Sequence, residues 1–176
     1  MINKIIAVDF RVNEFSAALL NSKLSSVFET LTILGSGIFC WMLYAIFIFF
    51  RMTSYSFLLT IISAEIVMLL VVIVLRHLVK RERPLPDIKH RLFMNWNRYS
   101  FPSLHAARVF MLTFITSGFY HKITLPMLLL AMVISFSRIY LKRHFLSDVI
   151  AGAIVGTGSG AIAYCCCPVI FFVIMR

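Results

Sequence analysis

From Thr30 onward the chain is a series of apolar runs, each about as long as a bilayer is thick, separated by short polar links and one long one. A spanning helix needs roughly 20 predominantly apolar residues. Thr30 to Phe50, Ser54 to Leu75, Leu104 to Phe119, Ile123 to Leu141 and Val149 to Met175 are the runs that come near it. At 61% hydrophobic and 14% charged, the chain holds more apolar residues than a soluble core of 176 residues hides. The expectation is an all-α fold: a polytopic membrane helix bundle of about five transmembrane helices, forming one domain over residues 1–176. Residues 1 to 24 mix Ile2, Ile5, Ile6, Phe10, Phe15 and Leu19 with Lys4, Asp9, Arg11 and Glu14, which predicts an N-terminal interfacial helix rather than a span or a signal peptide.

The formal charge of +10 sits in the links and not along a solvated face, so the expected partner is the lipid bilayer and not nucleic acid. Cys40 and the run Cys165, Cys166, Cys167 lie in apolar segments without CxxC spacing. They read as small hydrophobes, with neither a disulfide framework nor a zinc site, and acylation of the triplet is the alternative.

Span parity brings the polar links together. The long link from Arg76 to Ser103 and the link from Lys142 to Ser147 emerge on one membrane face, and long loops are where function concentrates. Gly152, Gly156 and Gly160 recur every four residues in the last span, a small-residue stripe that lets another helix approach closely. Glu65 lies mid-span, where a charge costs about 2.5 kcal/mol or more; protonation or a bond to a neighbouring helix would relieve it.

Three clusters share that face: "RHLVKRERP", "YSFPSLHAAR" and "SRIYLKRHFLSD". Their residue types fit phosphate chemistry. Guanidinium forks match phosphate oxygens and stay charged, so Arg76, Arg83 and Arg138 can bind one phosphoryl group and stabilise the charge of its transition state. The Ser103 hydroxyl and the backbone amides of the Ser103-Leu104-His105 turn can add neutral donors. If the last span is helical from its start, His144 and Asp148 share a face. The carboxylate can then accept the imidazole N–H and leave the other nitrogen as nucleophile, while His105 is free to protonate the leaving oxygen and later to activate water. Lys80, Arg81, Lys142 and Arg143 read as helix-end cations in contact with lipid. No HxxxH or HExxH pairing occurs, so no metal and no cofactor are expected.

The order of these clusters resembles the type 2 phosphatidic acid phosphatase superfamily of lipid phosphatases, whose signature reads K-x6-RP, PSGH and SR-x5-H-x3-D. The matching residues are Arg76, Arg83 and Pro84; Pro102, Ser103 and His105; and Ser137, Arg138, His144 and Asp148. The likeness runs over about residues 21 to 164, and "RYSFPSLHAAR" is most similar to the polyisoprenoid diphosphate phosphatase branch. It implies a phosphohistidine at His144 oriented by Asp148, acid/base work by His105, phosphate contacts from Arg76, Arg83, Ser103 and Arg138, and no metal. The sequence departs from the signature twice, with Arg76 in place of Lys and Leu104 in place of Gly.

The expected function is hydrolysis of a terminal phosphate from a lipid phosphate or diphosphate of the phosphatidate, phosphatidylglycerophosphate, isoprenyl diphosphate or lipid A type. The alternatives are a headgroup phosphotransferase, suggested by PSLH, and a non-enzymatic transporter or assembly protein, against which stands the scarcity of deep polar residues beyond Glu65. The localisation expected is an integral protein of a plasma or inner membrane. Apart from the three signature arginines, the motif face holds Lys4, Arg11, Lys23, Lys80, Arg81, Lys89, Arg91, Arg98, Lys142 and Arg143, against Arg51, Lys122 and Arg176 opposite. The positive-inside rule therefore leans the site toward the cytoplasm.

Overall fold

The computed structural model describes residues 2–19, 21–85 and 98–174 and is all helical among them. Its α-helices are α1 (Ile2–Ala18), α2 (Ser22–Thr32), α3 (Gly37–Phe49), α4 (Tyr55–Val79), α5 (Leu104–Phe119), α6 (Thr124–Tyr140) and α7 (Leu146–Ile174), with single 3-10 turns at Ile33–Gly35 and His121–Ile123. Lys89, Arg91, Met175 and Arg176, which entered the sequence reading, lie outside the described residues.

Among the described residues, three helical stretches are long and apolar enough to cross a membrane: Tyr55–Val79, His121–Tyr140 and Leu146–Cys166. A fourth crossing results if Ser22–Gly35 and Gly37–Phe49, bent by 49° at their junction, make one span. The first expected span, Thr30 to Phe50, is therefore neither continuous nor bounded as the hydropathy suggested. Its break falls on Gly35-Ser36-Gly37, where glycine disfavours helix and the Ser36 side chain leaves the ladder to accept the Phe39 N–H at 3.3 Å, restarting the helix as its cap. At 16 residues, α5 is shorter than the full spans. It reaches about 24 Å against a hydrocarbon thickness near 30 Å.

The core is built where α4, α5 and α7 meet. Ile61, Ala64, Met68 and Val72 of α4 pack with Ala107, Met111 and Ile115 of α5 and Ala163 of α7, and Cys40 and Tyr44 of α3 close one side. The glycine stripe of α7 is what lets α5 come so near. A Cβ at Gly152 would collide with the Ser103 carbonyl oxygen, and one at Gly156 with that of Ala107. Of the other cysteines, Cys165 and Cys166 of α7 are exposed.

Glu65 is resolved by a partner on the neighbouring helix. Arg108 donates to its Oε1 from Nε at 2.7 Å and from Nη2 at 2.6 Å, and a third donor, Nη1, reaches the Gly35 carbonyl at 3.1 Å. The N-terminal helix α1 is tied to the same end of the bundle as the motif links. Tyr140 at the end of α6 donates to the Leu19 carbonyl at 2.8 Å and accepts the Asn21 N–H at 2.9 Å, fixing the turn between α1 and α2.

Candidate active site

Four helix ends meet here: the C-terminal turns of α4 and α6 and the N-terminal turns of α5 and α7. Helix α4 stops at Lys80, whose left-handed conformation (φ 48°) turns the chain back, its N–H bonding to the Arg76 carbonyl. The segment that follows is stitched to the other two motifs. Ser100 N–H bonds to the Arg81 carbonyl at 2.8 Å, and Leu85 N–H to that of Lys142 at 3.1 Å. After α6, Lys142 again turns left-handed (φ 53°), and the amides of Arg143 and His144 fold back onto the Arg138 carbonyl at 3.0 and 3.1 Å. This hairpin buries His144 beside Arg138.

The residues singled out from sequence do come together. Arg76 is 1% exposed and donates from Nη2 to the Pro102 carbonyl at 3.2 Å, which links the first motif to the second. Arg138 is also buried, and its Nη1 donates to Thr32 of α2 at 3.0 Å. Arg138, Arg83 and Arg76 all lie close enough to His144 to act on its ionisation, and His105 lies among Arg138, Arg108, Arg83 and His144. Burial first, then the charges of those three arginines, push the His144 imidazole well below its ordinary value. Its neutral form is the one the site favours.

The second motif provides donors of two kinds. The Ser103 hydroxyl is fully buried, makes no capping bond and, among the described residues, has no hydrogen-bond partner. Leu104 and His105 open α5, so their amides have no acceptor within the helix, and the positive end of its dipole points into the site. One expected donor is not free, because the Ser103 N–H bonds to the Asp148 carbonyl at 2.9 Å. Ser137 takes no part, since its hydroxyl bonds back to the Ile134 carbonyl of its own helix.

The expected contact between His144 and Asp148 is the clearest correction. Nδ1 of His144 lies 2.8 Å from the Ser100 carbonyl oxygen, which can only accept, so the Nδ1 position carries the proton and Nε2 is left with its lone pair. The nearer Asp148 oxygen is 3.7 Å from Nδ1, beyond hydrogen-bond range. The two residues share a helical face as expected, but stronger claims on the carboxylate intervene. Oδ2 accepts the Phe145 N–H at the start of α7, and Oδ1 accepts Nη1 of Arg81, both at 2.9 Å.

Arg81 is the second correction. Instead of reaching lipid, it bridges Asp148 and Asp9 of α1, at 2.9 and 2.8 Å. Its neighbour Lys80 is exposed, as a helix-end cation would be. Ser100 contributes a backbone carbonyl, which no residue-type pattern can reveal. Asp9 is one of several charged residues in the mixed N-terminal segment, and nothing in the pattern singles it out. Among the described residues no three His, Cys, Asp or Glu side chains gather as metal ligands.

The family model of the PAP2 superfamily matches residues 55–171, which contain all three motifs. The chain belongs to the PAP2 superfamily. Two solved PAP2-like folds superpose on it. Aquifex aeolicus LpxE shares 26% identity at a TM-score of 0.69, over 88% of this chain and 93% of that one. A transmembrane PAP2 type phosphatidylglycerolphosphate phosphatase from Bacillus subtilis shares 20% identity at a TM-score of 0.74, over 92% and 85% of the two chains, and attests the fold. With its apolar helices, this PAP2 chain is an integral membrane protein.

Proposed function

We propose that the chain is a metal-independent membrane lipid phosphatase, a single domain that removes the terminal phosphate of a lipid phosphate or diphosphate through a phosphohistidine at His144. The observation that carries this reading is the 2.8 Å contact of His144 Nδ1 with the Ser100 carbonyl amid Arg76, Arg83 and Arg138. It leaves a neutral imidazole with an available nitrogen next to three cations.

In the proposed cycle Nε2 attacks phosphorus, and the bond to the leaving oxygen breaks as His105 gives that oxygen a proton. Neutral His105 then takes a proton from water, the hydroxide attacks phosphorus, and the N–P bond breaks to return His144 and release phosphate. The three guanidinium groups, the Ser103 hydroxyl and the Leu104 amide hold the phosphoryl oxygens, supplying the charge that a metal gives elsewhere. Asp148 acts through its bonds to Phe145 N–H and Arg81, keeping the first turn of α7 in place behind the nucleophile.

Support for a lipid substrate comes from the membrane fold and from the Bacillus subtilis neighbour, whose own substrate is a phospholipid phosphate. Phosphate transfer to an alcohol is the second reading, favoured by Leu104 where the superfamily signature has Gly. A permeation path is disfavoured, because the mid-span acid Glu65 is closed off by Arg108. On charge alone we place the site at the cytoplasmic face.

The deciding experiment is phosphate release by the purified protein from phosphatidate, phosphatidylglycerophosphate, isoprenyl diphosphates and lipid A, with excess EDTA and with or without added alcohol. Release from at least one lipid in EDTA is expected. Loss in EDTA that returns with added metal would sink the metal-free mechanism, and capture by alcohol would favour transfer.

A further inference from the structure

Asp9 lies outside the stretch that the family model matches, yet it is 2% exposed and heavily bonded. Oδ1 accepts the Ser147 N–H at 2.9 Å, and Oδ2 accepts the Ser147 hydroxyl at 2.5 Å and Nη2 of Arg81 at 2.8 Å. Arg81 donates from its other nitrogen to Asp148 at 2.9 Å and to the Ser147 hydroxyl at 2.6 Å. Its guanidinium also sits 4.0 Å over the Phe145 ring, which Phe10 of α1 meets edge-on at 5.9 Å. Three of the four residues that follow the nucleophile, Phe145, Ser147 and Asp148, are therefore held by α1 or by the arginine that α1 holds.

Elsewhere α1 exposes the apolar side chains Ile6, Val8, Phe10 and Phe15. A helix that served only as a surface tether would need those side chains but no buried acid. Burying a carboxylate costs several kcal/mol unless it is paired, so Asp9 is there for what it pairs with. Resting on the phosphatase reading above, we infer that Asp9 is a positioning residue for the nucleophile: it fixes Arg81, and through Arg81 the Asp148 carboxylate and the first turn of α7 behind His144. Without Asp9, Arg81, whose side chain is 24% exposed, turns toward water. The fully buried Asp148 carboxylate then lacks its counter-charge, and the loop bearing His144 loosens. Arg76, Arg83 and Arg138 are untouched, so the phosphate should still bind.

The test uses the full-length protein in detergent micelles and whichever lipid of the panel the wild type turns over fastest. Asp9→Asn keeps the shape and removes the charge. It should lower kcat roughly ten- to a hundredfold with KM within about twofold, while Glu14→Gln, exposed on the same helix, leaves both unchanged. In an Arg81→Gln background Asp9→Asn should cause no further loss of kcat, because Asp9 acts through Arg81. Amide hydrogen exchange adds a readout that needs no substrate: the peptide spanning residues 143–150 should exchange faster in Asp9→Asn. Full kcat in folded Asp9→Asn, losses that multiply in the double variant, or unchanged exchange would each overturn the inference. His144→Ala is assayed alongside; if it keeps turnover, the nucleophile is misassigned, and the exchange measurement still decides whether Asp9 holds this loop.

Discussion

Glu65 and Arg108 form a closed ion pair within the bundle, Oε1 to Nη2 2.6 Å, with side chains 0% and 2% exposed. The pair joins α4 to α5, and the third arginine donor, on the Gly35 carbonyl, also ties in the break before α3. That break faces the site: a Cβ at Gly35 would stand 3.3 Å from the His105 ring. Breaking such a pair from one side leaves a buried charge without its counter-ion and costs about 3–5 kcal/mol, whereas replacing both partners by apolar groups is often nearly neutral.

Glu65→Leu and Arg108→Met should therefore each lower thermal stability sharply, and the double variant should recover most of the loss. It will not recover all of it, since the Gly35 carbonyl loses a donor, a matter of about 1–3 kcal/mol for a buried group. Thermal unfolding of the four proteins in one detergent measures this. A double variant as unstable as the worse single one would show that the pair is more than mutual neutralisation.

The glycine stripe makes a sharper contrast within one helix. Gly156→Ala drives a methyl into the Ala107 backbone, and overpacking of this kind costs about 1–3 kcal/mol. Gly158, with nothing within 4 Å of an added Cβ, should tolerate alanine and gain up to about 1 kcal/mol of helix propensity. Gly152→Ala should lower kcat as well as stability, because it pushes on the Ser103 carbonyl while the Ser103 N–H holds that of Asp148. Equal melting temperatures for the Gly156 and Gly158 variants would contradict the packing.

How much of this was open to reading from sequence depended on what each residue contributes. Arg76, Arg83, Arg138, His105 and His144 contribute side-chain chemistry that is scarce in an apolar chain, and span parity brought them to one face. Ser100 meets His144 through a main-chain carbonyl that any residue supplies, while its hydroxyl bonds to the Arg81 and Glu82 carbonyls across the motifs, a pairing only the fold creates. Lys80 and Arg81 are adjacent and alike in sequence, yet one left-handed residue sends the first outward and the second inward. Asp9 and Ser147 are 138 positions apart and meet only through the fold. The break at Ser36 was visible as Gly-Ser-Gly, but averaging hydropathy over a span hides three weak helix formers among their neighbours.

The depressed ionisation of His144 fixes the sign of the acid limb. Free imidazole gains its proton near pH ~6.5; burial and Arg138, Arg83 and Arg76 move that event lower in the fold. The proposed nucleophile thus stays neutral below pH ~6.5, and kcat/KM, corrected for the substrate's own phosphate ionisation near pH ~6, should fall only at more acid pH. Arg83→Gln removes one of the charges and should move the limb upward, whatever it does to the rate. Stability follows the same linkage. Below pH ~6.5 the unfolded chain takes up a proton that the folded one refuses, so this group's contribution is complete above that pH and is lost as pH falls toward the folded value. An acid limb above pH ~6.5 would mean that the buried imidazole is held protonated instead.

The two histidines should fail differently. On the proposed mechanism, His144→Ala removes the attacking nitrogen and should form no covalent species with any substrate. His105→Ala keeps the nucleophile but loses the proton donor for the first step and the base for the second. With a diphosphate, whose leaving group needs little protonation, the first step suffers less, and an acid-labile, base-stable phosphoenzyme should accumulate. Arg138→Ala should abolish turnover by removing a buried guanidinium proposed to hold phosphate, while Lys142→Ala, at the turn beyond α6, should cost less than about threefold. Quenching without acid and mass spectrometry of the peptide spanning residues 143–150 would locate the phosphate on His144. A label on Ser103, or near-normal turnover by His144→Ala, would move the covalent chemistry off the imidazole whose Nδ1 the Ser100 carbonyl holds.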